Sequence, residues 1–520
     1  MNRKTGIIFA LLLAVAFHPL FGQEKKELSL TLEDSIVKAL KNNLNVAVEV
    51  FNPELADASV ARAKEIFLPQ LDFGYGLEQT KQPSYWFIQG AQTISSRFND
   101  YNLSLVQKIP TGGNFSLSLS SYKSDTNQAF QLINPRFGST VRFEFTQPLL
   151  RNFGPKVNRR EIIVARQNLE ISEHQLKSVL MDTVFLVQEA YWNLAYAVEN
   201  FKVKQQSLQL ARDLLAKNKK EVEVGQLAPI EVLNAQTEVA QREADILQAE
   251  GMIRRGEDVF KTILNLAAEG DAGSQKIALA DKPELKPVKI ALDEAVREAM
   301  EKRPDLKMSK TTISTKSLNF SVAKNQLLPG LDLKLGYWSP GISGDRLIYL
   351  DDNPFLGIIV GKEKRSGSES LSDAFKFLYE NWSVGVTLSV PIGDIISRSN
   401  YSLAKLDLEQ SQAKLRSLEQ QVFLEVSDAV RSIETDAKRA EAYRVAREFA
   451  EKRLEAETKK LNVGLTTNYF VLQYQEELAN ARSMEIKALV DYNISLSRLE
   501  KAMGASLDNR NISVTSSLEK

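Results

Sequence analysis

The sequence has no cysteine and only two histidines in 520 residues. The first absence excludes a disulfide framework, a thiolate metal site and a lipid anchor on an N-terminal cysteine. The second leaves His174 as the one histidine beyond the first 22 residues, among polar helical positions where a solvated ring is expected rather than a base or metal ligand. Lys plus Arg and Asp plus Glu both number 66, so the formal net charge is zero and no nucleic-acid partner is expected. There is no Gly-x-Ser-x-Gly and no histidine pair with metal spacing, and Gly361-Lys362 is followed by Glu363 without a phosphate loop around it. Catalytic, cofactor-binding and metal-ligating residues are therefore not expected. Past the N-terminus no run of about eighteen apolar residues occurs, so any passage through a membrane would be made by β-strands.

Arg3 and Lys4 precede an apolar run, Ile7 to Phe17, too short to span a bilayer and followed by Pro19 and Gly22. Residues 1–22 read as a cleaved secretory signal, with Leu20 an imperfect match at the cleavage site. The mature chain is exported.

Glycine and proline are also missing from Lys156 to Val224 and from Ser399 to Val463. Each stretch could run as one helix of about 100 Å at 1.5 Å per residue. Leu176, Leu180, Val184, Val187, Tyr191, Leu194, Val198 and Phe201 form an apolar stripe on the first; Leu415, Leu418, Val422, Val426, Ala429, Ile433, Ala437 and Ala440 form one on the second. Both step at about 3.6 residues, the period of a nearly straight helix, and the other faces carry Lys, Arg, Glu and Gln. Such helices need lateral partners.

Both stretches end on a glycine. Val224-Gly225-Gln226 is followed by Pro229-Ile230-Glu231-Val232-Leu233, and 239 positions later Val463-Gly464-Leu465 is followed by Asn468-Tyr469-Phe470-Val471-Leu472-Gln473. Gly225 and Gly464 read as left-handed residues closing one helix, with Pro229, or Thr466, Thr467 or Asn468, opening an antiparallel return. The repetition goes further. Phe67-Leu68-Pro69-Gln70-Leu71-Asp72 matches Leu327-Leu328-Pro329-Gly330-Leu331-Asp332 at an offset of 260, so one unit is duplicated and the first copy holds 21 extra residues.

In each copy an opening helix gives way at Leu-Pro to alternating strands. The first opening helix, Leu32 to Phe67, is expected to kink at Pro53; the second breaks at Pro304. Leu331, Leu333, Leu335 and Tyr337 alternate with Asp332, Lys334 and Gly336; Trp382, Val384, Val386, Leu388 and Val390 alternate with Ser383, Gly385, Thr387 and Ser389. The first copy repeats this in Leu71, Phe73, Tyr75 and Leu77 and in Val141, Phe143 and Phe145. One apolar and one polar face suit either a soluble sandwich or a membrane barrel. The neighbouring long helices and the polar stretch from Pro340 to Asn381, too long for a hairpin inside a compact domain, favour the barrel. An extra alternating pair, Tyr101 to Val106 and Phe115 to Tyr122, leaves open whether it joins the wall.

The expected organisation is a signal peptide (1–22), first opening helices (23–70), first β region (71–152), first long hairpin (153–268), a linker (269–291), second opening helices (292–329), second β region (330–392), second long hairpin (393–505) and a polar tail (506–520). With Leu-Pro-x-Leu-Asp before the first strands, Gln147-Pro148-Leu149-Leu150 and Val390-Pro391-Ile392 after the last, and Val-Gly at both tips, the mature chain resembles the TolC family of outer-membrane channel proteins. Gln147 to Gly154 also resembles the branch of that family with extra residues in the first β region.

The resemblance implies a mainly α fold with membrane β: a homotrimer in which each chain gives four strands to a transmembrane β-barrel in outer-membrane lipid and long hairpins to a periplasmic α-barrel. It implies a passive conduit for efflux or secretion, closed at its far end until opened by a periplasmic adaptor protein and an inner-membrane transporter. By position, Val224, Gly225, Gln226, Val463, Gly464 and Leu465 would face the adaptor, although plain helix termination also explains them. The family's acidic entrance ring is matched only by Glu231; Phe470 and Gln473 stand in the second copy. Glu231 serves equally as a carboxylate near a helix N-terminus. The expected constriction is therefore less acidic and partly apolar, with Phe470 toward the lumen. A periplasmic adaptor or structural coiled-coil protein of the envelope is the alternative, but an adaptor would carry one hairpin flanked by β domains, whereas this chain carries two hairpins with strands between.

Overall fold

A computed structural model describes residues 28–266 and 275–512. The signal at 1–22, Gly270 and Gly273 of the linker and the end of the tail lie outside the described residues. In chain order the elements are β1 (Leu28–Leu30), α1 (Leu32–Asn42), α2 (Leu44–Lys64), β2 (Gln70–Pro83), β3 (Thr93–Lys108), β4 (Asn114–Thr126), β5 (Ile133–Pro148), α3 (Pro155–Asn158), α4 (Arg160–Glu223) and α5 (Pro229–Ile263). The second half follows as β6 (Ile277–Leu279), α6 (Leu292–Lys302), α7 (Pro304–Gln326), β7 (Gly330–Tyr349), β8 (Ile359–Glu363), α8 (Gly367–Phe375), β9 (Asn381–Ser389), α9 (Ile395–Asn462) and α10 (Asn468–Ala502). None of the described helices is long and apolar enough to cross a membrane. The chain divides into two compact units, whose boundaries fall within α2, α4 and α9, between Ile290 and Ala291 just before α6, and at the end of α10.

One unit holds the sheet. Its order is β2-β3-β4-β5-β7-β8, with β9 also paired to β7, so β2 is an edge strand and β9 borders the other side. The hairpin left open by the sequence belongs to this sheet as β3 and β4, each paired along almost its whole length. The sheet therefore exceeds the four strands per chain implied by the family resemblance. It was the serines alternating with Leu103, Leu105, Leu117 and Leu119 that continued the two-faced pattern across the extra pair.

Two other expectations need correction. The first opening helix is not one piece from Leu32 to Phe67: it breaks at Asn43, whose Oδ1 accepts the backbone N–H groups of Asn45 at 2.9 Å and Val46 at 3.3 Å, a cap that starts α2 afresh. Pro53 lies inside α2. The second copy breaks at the matching place, between α6 and α7, where Pro304 is the first residue of α7. The second correction concerns Pro340, which does not end a strand: β7 runs on to Tyr349. Pro340 pairs with Thr140 of β5 and lies between the stretches of β7 paired to β9 and to β8, where a proline is tolerated. The expected long polar loop is thus partly ordered, and α8 packs on β5 and β7.

The seat of α8 is made of small residues. Ser139 Oγ lies 3.0 Å from Ser370 Oγ, Ser343 Oγ donates to the Ser366 carbonyl at 2.8 Å, and Ser370 and Ala374 are fully buried. A Cβ on Gly341 would fall 2.0 Å from the Ser370 carbonyl oxygen, so glycine is required by close approach here. Phe377, just beyond the helix, stacks on Phe143 and Tyr337.

The other unit holds the hairpins. Val184, Val187, Tyr191 and Leu194 of α4 and Ala429, Ile433 and Ala440 of α9 are buried, as the stripes required. The described part of the linker is strapped to this unit. Its β6 pairs in parallel with β1, Leu28 opposite Ile277, and the Asp281 N–H donates to Tyr191 Oη at 3.1 Å. Burial, ahead of Asp281, pushes the Tyr191 hydroxyl up to about 12, so it stays protonated. Tyr492 Oη donates to the Lys286 carbonyl at 2.5 Å further along.

Candidate functional site

Both tips are built alike. α4 ends with Gln226 N–H donating to the Glu221 carbonyl at 2.8 Å and Gly225 N–H to Val222 at 3.0 Å; α9 ends with Leu465 N–H to Lys460 at 3.0 Å and Gly464 N–H to Leu461 at 3.0 Å. This is the Schellman closure, which satisfies carbonyls orphaned by the end of the helix. It needs a left-handed residue, and Gly225 and Gly464 have φ of 75° and 77°. Pro229 is the first residue of α5, as expected, and α10 begins at Asn468. Thr466 is not the cap. Its hydroxyl donates to Glu457 Oε1 at 2.5 Å, and this bond together with Lys460 holds the Glu457 carboxyl below its ordinary value.

The residues outside the caps are apolar and exposed: Val224, Val463 and Leu465 are 68%, 68% and 76% accessible, and Gln226 is exposed too. Glu231 occupies the first turn of α5, where the helix dipole favours a carboxylate, and its Oε2 is buried without a hydrogen-bond partner. Phe470 belongs to an aromatic ladder on α10. It stacks on Tyr474 at 6.4 Å between centroids, and the Arg453 guanidinium lies 4.2 Å over the Tyr474 ring. Gln473 is exposed one step along the same helix.

Behind the tips Ala211, Leu214, Ala235, Val471 and Leu472 form a core joining α4, α5 and α10. Arg242, 4% exposed, sits just beyond it. Its Nη1 donates to the Ser207 carbonyl at 2.8 Å and to Gln475 Oε1 at 3.1 Å, and its Nη2 to the Leu472 carbonyl at 3.0 Å. Glu238 Oε2 is 3.7 Å away, and Nε has no partner. Burial lowers the guanidinium's pKa, with Glu238 opposing. Sequence reasoning missed this residue. The signal was its place seven residues from both Ala235 and Ala249, which are buried, and its match to Ala481 in the second copy.

His174, expected on a solvated face, is instead half-buried with Nδ1 unpartnered. Burial, Lys177 and Lys307 lower its pKa. No group of three or more His, Asp or Glu side chains that could hold a metal ion gathers among the described residues.

The outer membrane efflux protein model matches residues 114–265 and 295–505, covering both hairpins and most of the sheet. The chain belongs to the outer membrane efflux protein family. This is the TolC-like family that the repeated motifs resemble. Solved channels share the fold. The CmeC outer membrane channel of Campylobacter jejuni aligns over 94% of this chain and 88% of its own, with TM-score 0.65 at 16% identity. The outer membrane protein VceC of Vibrio cholerae aligns over 91% and 96%, with TM-score 0.62 at 15% identity. The open state of the MtrE outer membrane channel of Neisseria gonorrhoeae aligns over 92% and 89%, with TM-score 0.59 at 17% identity. No curated protein matches the sequence.

Proposed function

We propose that this family member is a passive trimeric conduit in the outer membrane, fed by an inner-membrane transporter and opened by a periplasmic adaptor that grips the two helical tips. The observation that carries this reading is the pair of matching Schellman-closed turns, each presenting exposed apolar residues. Val224, Gly225 and Gln226 with Val463, Gly464 and Leu465 form the adaptor-facing surface. Helix termination alone needs the two glycines but not the exposed Val224, Val463 and Leu465. The sheet carries the conduit through the outer-membrane lipid while the hairpins stand in the periplasm, and no chemistry is performed.

Glu231, Phe470 and Gln473 form the periplasmic constriction, with Phe470 toward the lumen. One carboxylate per chain gives it weak cation preference. Strong cation selectivity in single-channel recordings, abolished by Glu231→Gln and untouched by Phe470→Ala, would overturn this assignment.

A cysteine placed at the exposed Leu465 tests the docking surface, since the native chain supplies no competing thiol. Cross-linking in intact cells is expected to join Leu465→Cys to one periplasmic protein and to leave Asn99→Cys in the sheet unjoined to it. A water-soluble monomer, or no adduct with Leu465→Cys, would remove the proposal.

A further inference from the structure

The strand count sets the size of the wall. β2, β3, β4, β5, β7 and β9 have 14, 16, 13, 16, 20 and 9 residues, each long enough to cross a bilayer as a tilted strand, whereas β8 has 5. Register aligns all six in one layer. Leu71 pairs with Leu105, Leu105 with Leu117, Leu117 with Phe143, Phe143 with Tyr337 and Tyr337 with Trp382, an unbroken apolar row over six strands. The two strands of the extra hairpin carry the row as fully as their neighbours.

The sheet is left with two unpaired borders, and both carry the apolar face. Phe73 on β2 is 71% exposed; Val386 on β9 is 63% exposed. Unpaired backbone groups at that depth in lipid cost several kcal/mol each, so the borders must pair. A second copy of this chain fits them. β2 runs in the sense of β7, because each of the four steps from β2 to β7 is antiparallel, and β9 runs against β7. β9 of one copy therefore meets β2 of the next antiparallel, apolar face continuing apolar face.

We propose that three copies close an eighteen-stranded wall, β9 of each paired with β2 of the next, around a bore about half as wide again as twelve strands would enclose. The proposal rests on the trimeric channel reading above. At about 4.8 Å between strands and about 40° of tilt, eighteen strands put opposite backbones roughly 36 Å apart, against roughly 24 Å for twelve. The polar face carries Gly74, Gly76, Ser104, Ser118, Gly336 and Gly385, while Asp72, Arg142, Glu144 and Lys334 on the same face take up part of the width. The clear width is about twice that of a single α-helix, which measures about 10–12 Å. The wall then sets no limit on small molecules, and the constriction proposed at Glu231, Phe470 and Gln473 remains the narrow point of the path.

Paired cysteines test the seam. Phe73→Cys is combined in turn with Val384→Cys, Val386→Cys and Leu388→Cys in the full-length protein, oxidised in membranes and run without reductant. A covalent trimer, lost on reduction, is expected from at least one pair. A bridge formed by Phe73→Cys with Phe143→Cys inside one chain would put the β3–β4 hairpin outside the wall and end this proposal while leaving the trimeric channel intact. A β2–β9 bridge within a single chain would end both. Absence of any bridge would count against the seam. Electron cryo-microscopy of the unaltered trimer reads the wall directly, and twelve strands would overturn eighteen. For the bore, Ser118→Cys is expected to react from outside with polymer-maleimides wider than one helix; reaction only with narrower ones would overturn the bore width.

Discussion

Arg242 Nη2 donates to the Leu472 carbonyl at 3.0 Å and thereby fastens α5 of the first hairpin to α10 of the second. The same guanidinium holds α4 through Ser207. Removing it leaves two carbonyls and the Gln475 amide oxygen without that donor, at a cost of about 1–3 kcal/mol. Arg242→Ala is expected to lower the melting temperature of the purified protein and to raise the open probability in planar bilayers. Lysine lacks the planar fork, so Arg242→Lys should rescue neither fully.

The tip glycines separate backbone strain from packing. A Cβ at Gly225 or Gly464 meets no atom within 4 Å, so the left-handed φ is the whole obstacle to substitution. Gly225→Ala and Gly464→Ala should each cost about 1–2 kcal/mol locally. Hydrogen exchange at Gln226 and Leu465 is expected to accelerate while the global melting temperature stays unchanged, and asparagine should be the milder replacement.

Acid should loosen the second turn selectively. The Glu457 carboxyl is held below its ordinary 4.5, first by Thr466 and then by Lys460. A depressed folded pKa adds stability above the ordinary value and loses it as pH falls through the depressed one. Exchange protection at Leu465 is expected to fall below about pH 4.5. Thr466→Val should move the Glu457 midpoint upward in a titration followed by NMR.

The seat of α8 gives a steric prediction. Gly341→Ala drives a methyl into the Ser370 carbonyl and the following backbone, so α8 must lift from β5 and β7. External protease on intact cells is expected to cut within residues 364–380 of the variant and to spare the native chain.

What the sequence disclosed followed from residues with one structural option. Gly225 and Gly464 end helices that nothing else interrupts, and strict alternation assigned Leu331 and Asp332 to opposite faces before any pairing was known. Asn43 escaped because proline is the louder breaker, although a capping asparagine restarts a helix just as well. Arg242 escaped because a lone arginine on a charged helix reads as solvated. Its burial depends on α10, more than two hundred residues away. The residues proposed to face an adaptor or to form a constriction could be named only by position, because the contacts that would define them are made with other molecules.

The pairing of β1 with β6 constrains the order of assembly. Leu28 waits for Ile277, so the opening residues have no mate until the whole first repeat has emerged behind them. Strand-by-strand folding from the N-terminus outward is thereby ruled out for this strap, and a chaperone holding the earliest segment during export could release it only after Leu279 has emerged.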